Sequence, residues 1–196
     1  MPIDNRGTLS RLGNIMQVNN ALVEEVFLRT NNTGHILVSY MDSNPNAARP
    51  IRYLRLNVGN NTAILNLTGR NTCLCDIRRG MWIDAIVSPN FTFSIPPQAN
   101  AFLILVRRNP RPSPNITTGR ILSVNPAIQS FLIGTPGDRN RQTRFNVTNN
   151  TRIRDRFGNP IRLAALRPGD TVRVIHADFM TASIPPQTTA FYVQVI

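Results

Sequence analysis

Thr92-Phe93-Ser94-Ile95-Pro96-Pro97-Gln98 returns 89 residues later as Thr181-Ala182-Ser183-Ile184-Pro185-Pro186-Gln187. The match continues downstream, with Ala101-Phe102 against Ala190-Phe191 and Val106 against Val195. A repeat on this scale reads as one small fold written twice. In both copies the prolines remove backbone donors and set an extended bend before the last strand. Because both copies keep it, the motif answers to the fold rather than to one site.

Upstream of the motif, Arg79-Gly80-Met81 leads into Trp82–Val87, and Pro168-Gly169-Asp170 leads into Thr171–His176. Each reads as a glycine turn followed by an alternating β-branched strand. Phe145–Thr148 resembles Leu65–Thr68, and Thr151–Asp155 resembles Thr72–Asp76, with an extra piece at about Arg156–Leu166 in the second copy. Thr118-Gly119-Arg120-Ile121-Leu122 matches Thr33-Gly34-His35-Ile36-Leu37 at the front. The repeats then run over 33–106 and 117–196, joined by a Pro/Arg linker at 107–116. Residues 1–32 remain as an N-terminal extension without a counterpart. The second copy predicts strands at 120–124, 130–133, 144–147, 171–175 and 190–195, with a helical turn near 163–166.

Gly119, Ile121, Leu122, Phe145, Val147, Thr151, Ile153, Gly158, Ile161, Leu166, Gly169, Asp170, Val172 and Val174 form a spaced pattern. The pattern resembles the OB-like small β-barrels of uncharacterised bacterial proteins. The resemblance implies an all-β chain of two tandem OB-like five-stranded barrels. It covers 117–196 well and 33–106 less well. OB-like barrels serve many functions, so the resemblance is one of architecture.

The 196-residue chain has a formal net charge of +12. All 22 basic residues are arginine. From Arg107 to Arg173 there are 13 arginines against 3 aspartates, which suggests an anionic partner or an anionic neighbouring subunit. If Ile153 points inward, Arg152 and Arg154 point outward, and Arg156 continues their row. Arg139, Arg141 and Arg144 precede them. Such a row suits nucleic-acid phosphates. The aromatics that would stack bases, Phe131 and Phe145, sit at inward positions, which weakens that reading.

The same alignment places Cys73 and Cys75 over Arg152 and Arg154, side by side on an exposed strand. A bond between them would distort an extended strand, so the pair is expected to form disulfides to another subunit. Cys-x-Cys with only two scattered histidines offers too few soft ligands, and no metal or other cofactor is expected. Trp82 is read as an outward interface anchor, with Asp84 on the same face. His176 and Asp178 lack a marked nucleophile, so no catalytic residue is assigned.

The extension carries Leu9, Leu12, Ile15, Val26 and Leu28, apolar positions suited to an arm or donor strand on a neighbour's sheet edge. The reading that follows is a non-enzymatic structural protein that self-assembles into a filament or surface layer, its partner being itself. The alternative is a single-stranded nucleic-acid-binding module using the arginine face of the second repeat. No signal peptide or membrane span is read from the sequence. Synthesis in the cytoplasm and an end point on a cell or spore surface are the expectation.

Overall fold

In a computed structural model the chain is all-β, with short 3-10 turns and no α-helix among the described residues. The structure describes residues 4–44, 46–109 and 115–196. Half of the expected proline linker, residues 110–114, lies outside the described residues. The chain divides into two compact units, Met1–Ser113 and Pro114–Ile196.

The first unit holds β1 (Leu9–Leu12), β2 (Ile15–Leu28), β3 (Gly34–Met41), β4 (Ile51–Val58), β5 (Ala63–Asn66), β6 (Trp82–Val87) and β7 (Gln98–Arg107). The second holds β8 (Asn115–Asn125), β9 (Ser130–Gly134), β10 (Gln142–Asn146), β11 (Arg152–Arg154), β12 (Thr171–His176) and β13 (Gln187–Val195). In the second unit β8 pairs β9, β9 pairs β10, β10 pairs β13, β13 pairs β12, and β12 returns to β8. The first unit repeats this cycle through β2, β3, β4, β7 and β6. In each cycle only the contact of the third strand with the last is parallel. Alternating residues fill the interior, led by Val23, Ile36, Val38, Leu54, Leu56 and Ile83 in the first unit and by Ile121, Phe131, Phe145, Val172 and Val193 in the second.

Three expectations are corrected here. The sheets have seven and six strands rather than five, because β5 and β11 add to β7 and β13 and β1 adds to β2. The first 32 residues are not an unmatched arm. Strand β2 pairs with β3 and β6 of its own unit, as β8 pairs with β9 and β12. Ile15 is fully buried there, and Val26 packs against the core. Finally, the second copy carries no insert. Ile64 lies opposite Ile104 and Ile153 opposite Val193, so both pairs keep the 89-residue offset.

Details of the two units agree with that offset. Thr62 donates its hydroxyl to the Ala101 carbonyl, and Thr151 donates to Ala190, both at 2.7 Å. Asn66 Oδ1 accepts from the amides of Thr68 and Arg70, and Asp155 Oδ1 from those of Phe157 and Asn159. Gly69 and Gly158 follow with positive φ, the conformation that glycine allows at no steric cost.

Candidate functional site

The repeated motif builds a loop from its hydroxyls. Thr92 Oγ1 accepts the Gln98 amide at 3.0 Å and lies 2.7 Å from Ser94 Oγ, which donates to the Pro96 carbonyl at 2.8 Å. Thr181, Ser183, Pro185 and Gln187 repeat the same bonds. The glutamine thus contributes its backbone amide to the loop. Ile95–Pro96 and Ile184–Pro185 are cis. The Arg55 amide donates to the Pro97 carbonyl at 2.9 Å, which docks the first loop against β4.

That docking makes one wall of a cleft of about 730 Å³ in the first unit. Ile95, Pro96 and Pro97 face the β3–β4 hairpin, where Leu37, Ile51 and Tyr53 share the outward side of the pleat. Tyr40 lies at the hairpin end opposite Arg52 and packs partly against the core. Tyr53 is 47% exposed, so its ring is open to a ligand. Arg49, Arg52 and Leu9 of β1 also line the cleft. Asp42 binds Arg52 at 2.6 Å. The Asn44 amide and Arg52 hold the Asp42 carboxyl below the usual carboxylate range. Burial pushes the Tyr40 phenol up.

The second unit has a recess of about 80 Å³ at a different place, between the β8–β9 turn and Arg144. Gln142 stands where β4 has Tyr53, since Arg144 and Arg55 hold matching places against β13 and β7. The tyrosine of β4 is therefore a point of difference between two otherwise parallel units. No protein-family model matches the chain, and no curated protein sequence matches it.

The residues singled out from sequence are dispersed. Cys73 and Cys75 are bonded to each other, not to a second chain. They flank no strand. Cys73 precedes a 3-10 turn at Leu74–Asp76, and the strand matched to β11 is β5, so the expected alignment over Arg152 and Arg154 is corrected. Both sulfurs lie close to Asp76, but sulfurs spent in a disulfide are not thiolate ligands. Arg139 and Arg141 sit on an exposed 3-10 turn, with Arg141 3.5 Å from Asp138. Arg144 lines the small recess. Arg152 and Arg154 flank buried Ile153 as expected, yet Arg154 turns back to donate to the Gly158 carbonyl at 2.6 Å. Arg156 is exposed beyond the strand. Of the apolar candidates, Leu9 enters the cleft, Leu12 is half-buried on β1, and Leu28 is exposed at the end of β2. Trp82 is half-buried beside Leu22 of β2. Asp84 is buried, contrary to its expected exposure, and forms an ion pair with Arg107.

His176 is a structural histidine. Its Nδ1 donates to the Ala177 carbonyl at 2.9 Å, which leaves Nε2 to accept from the Thr117 hydroxyl at 2.9 Å. Its ring meets Phe145 edge-on. Burial lowers its pKa from 6.5, against smaller raising effects of the Ala177 carbonyl and Asp178. As pH falls, the unfolded chain therefore takes up this proton before the folded one does. Stability is full above pH 6.5 and is lost as pH drops through the lowered value. His176→Val, which installs the residue of the first copy, is expected to flatten the acid limb of a urea-denaturation series; an unaltered limb contradicts this role.

Proposed function

We propose that the protein is a non-catalytic binding module whose first unit takes single-stranded nucleic acid in the Tyr40–Tyr53 cleft. The observation that carries the reading is an exposed tyrosine ring beside Arg49 and Arg52 in an open apolar cleft. Base stacking on an aromatic and phosphate contacts from arginine are the two ingredients of sequence-tolerant single-strand binding. The formal charge of +12 favours a polyanion over a neutral ligand. The reading treats each five-strand cycle as an OB-like frame, in which the face of the second and third strands and the adjoining loops carry oligonucleotides. In this chain those are β3, β4 and the 88–97 loop. It moves the expected nucleic-acid contact from the arginines of the second repeat to the first, where the aromatic stands.

Ultraviolet crosslinking of a short oligothymidylate, followed by peptide mapping, tests the location. Adducts are expected on the peptides holding Tyr40, Tyr53 or Phe93. Adducts confined to 139–156 would overturn it and restore the arginine face.

A second reading, self-assembly into a filament or a layer on a cell or spore surface, retains one specific observation. Phe93 and Ile95 are essentially fully exposed at the loop tip, 108% and 100%. Large apolar side chains presented together suit contact with a second copy. Arm exchange is no longer its route, since β2 is paired within its own unit. On this reading Phe93→Ser with Ile95→Ser converts particles seen by light scattering into single chains; equal scattering from both proteins dismisses it.

A further inference from the structure

Cys73 and Cys75 close a disulfide across a sequence separation of 2, with Cα atoms 5.1 Å apart. The second unit shows what the bond does not do. At the 89-residue offset, Arg162 and Ala164 replace the cysteines, yet the same 3-10 turn forms at Leu163–Ala165. The residues before the two turns match in backbone: φ −97° and ψ 161° at Cys73, φ −90° and ψ 159° at Arg162. Each turn closes with two backbone bonds: Asp76 to Cys73 at 3.1 Å and Ile77 to Leu74 at 3.2 Å in the first, Ala165 to Arg162 at 2.9 Å and Leu166 to Leu163 at 3.1 Å in the second. Both are anchored by a buried leucine, Leu74 or Leu163. The turn is therefore built by its leucine and its two backbone bonds. A crosslink over so short a loop also removes little entropy from the unfolded chain.

We propose that Cys73–Cys75 is a reversible thiol–disulfide exchange centre for low-molecular-weight thiols. Both cysteines are half-buried, so a small thiol reaches them without unfolding. The surrounding charge sets the direction. The Asp76 carboxylate accepts from Thr72 Oγ1 at 2.8 Å and from the Cys73 amide at 3.4 Å and lies within 4.8 Å of both sulfurs, so it does not distinguish them. The Arg78 guanidinium donates to the carbonyls of Cys75 and Ile77, which places positive charge on the Cys75 side. A thiol beside a guanidinium is the better thiolate.

An incoming thiolate attacks Cys73 Sγ. The new sulfur–sulfur bond forms as the Cys73–Cys75 bond breaks, and the electron pair leaves on Cys75 Sγ. A second thiolate attacks the small-molecule sulfur of the mixed disulfide and releases Cys73 as thiolate. Two thiols become one free disulfide, and the protein gains the two electrons and, on protonation, the two protons.

The test uses the full chain and reduced glutathione. After incubation at neutral pH and alkylation with iodoacetamide, mass spectrometry is expected to find both cysteines alkylated in protein whose thermal midpoint is unchanged. A disulfide that opens only in denaturant, or a midpoint that collapses on reduction, overturns the proposal. In single variants, Cys75 of Cys73→Ser is expected to alkylate about tenfold faster than Cys73 of Cys75→Ser. Equal rates, or the reverse order, overturn the assigned direction of attack.

Discussion

Asp84→Asn is expected to destabilise the protein by about 3–5 kcal/mol, the usual cost of leaving one partner of a buried ion pair uncompensated. Asp84 and Arg107 are 2% and 4% exposed. They meet as diagonal neighbours, because Asp84 lies opposite Leu105 and Arg107 opposite Trp82 in the β6–β7 ladder. Asp84 Oδ1 also accepts the Asn20 amide at 2.7 Å, at the irregularity of β2 where Asn20 adopts positive φ. Losing the carboxylate therefore weakens the register of β2 as well as the pair. At the 89-residue offset the second unit has Arg173 and Ile196, so it builds nothing of this form. Replacing both partners by leucine is expected to recover most of the loss, since an apolar pair carries no desolvation cost. Urea denaturation checks both statements. A single-variant loss below about 1 kcal/mol, the range of surface pairs, contradicts the role assigned to the pair.

Tyr53→Ala is expected to weaken oligothymidylate binding about 10- to 100-fold, from the loss of about 1–3 kcal/mol of base stacking. The ring is half exposed and its outward neighbours are Leu37 and Ile51, so truncation leaves the core intact and the loss reports on the ligand. Arg49→Ala is expected to act differently. It removes one phosphate contact, so the slope of log affinity against log salt falls by about 0.7. Gln142→Ala, at the matching place of the second unit, is expected to change neither quantity. Fluorescence anisotropy over a salt series measures all three proteins. Equal losses for Tyr53→Ala and Gln142→Ala would remove the distinction between the units on which the proposal rests.

The sequence repeat was legible over only part of the stretch where spacing is constant. From Arg55 to Arg107 and from Arg144 to Ile196 the offset stays at 89, and the motif loop, the Gly80 and Gly169 turns and the last two strands were all readable from it. Upstream of that stretch the loops differ in length, and spelling misled. Gly34-His35-Ile36-Leu37 looks like Gly119-Arg120-Ile121-Leu122. Strand pairing instead sets Ile36 opposite Leu56 and Phe131 opposite Phe145, so Ile36 matches Phe131. Local likeness carries no information about which strand lies alongside, and pairing decides equivalence.

The supposed insert arose in the same way, from matching Cys73-Leu74-Cys75 to Arg152-Ile153-Arg154 through a shared alternation. The cleft could not be read from any one stretch, since Leu9, Tyr40, Tyr53 and Ile95 converge only once β1, the β3–β4 hairpin and the proline loop are in place. Among the aromatic residues, the inward assignment of Phe131 and Phe145 agrees with their burial, and their rings stack at 5.3 Å. The open tyrosine, Tyr53, belongs to the copy that carries less of the arginine excess, so charge alone points away from it.

The most direct measurement is the anisotropy of a fluorescent oligothymidylate titrated with the unaltered full chain at several salt concentrations. Saturable binding that weakens steeply with salt, and that Tyr53→Ala diminishes by at least tenfold, is the predicted result. No binding at micromolar protein in low salt would contradict the account.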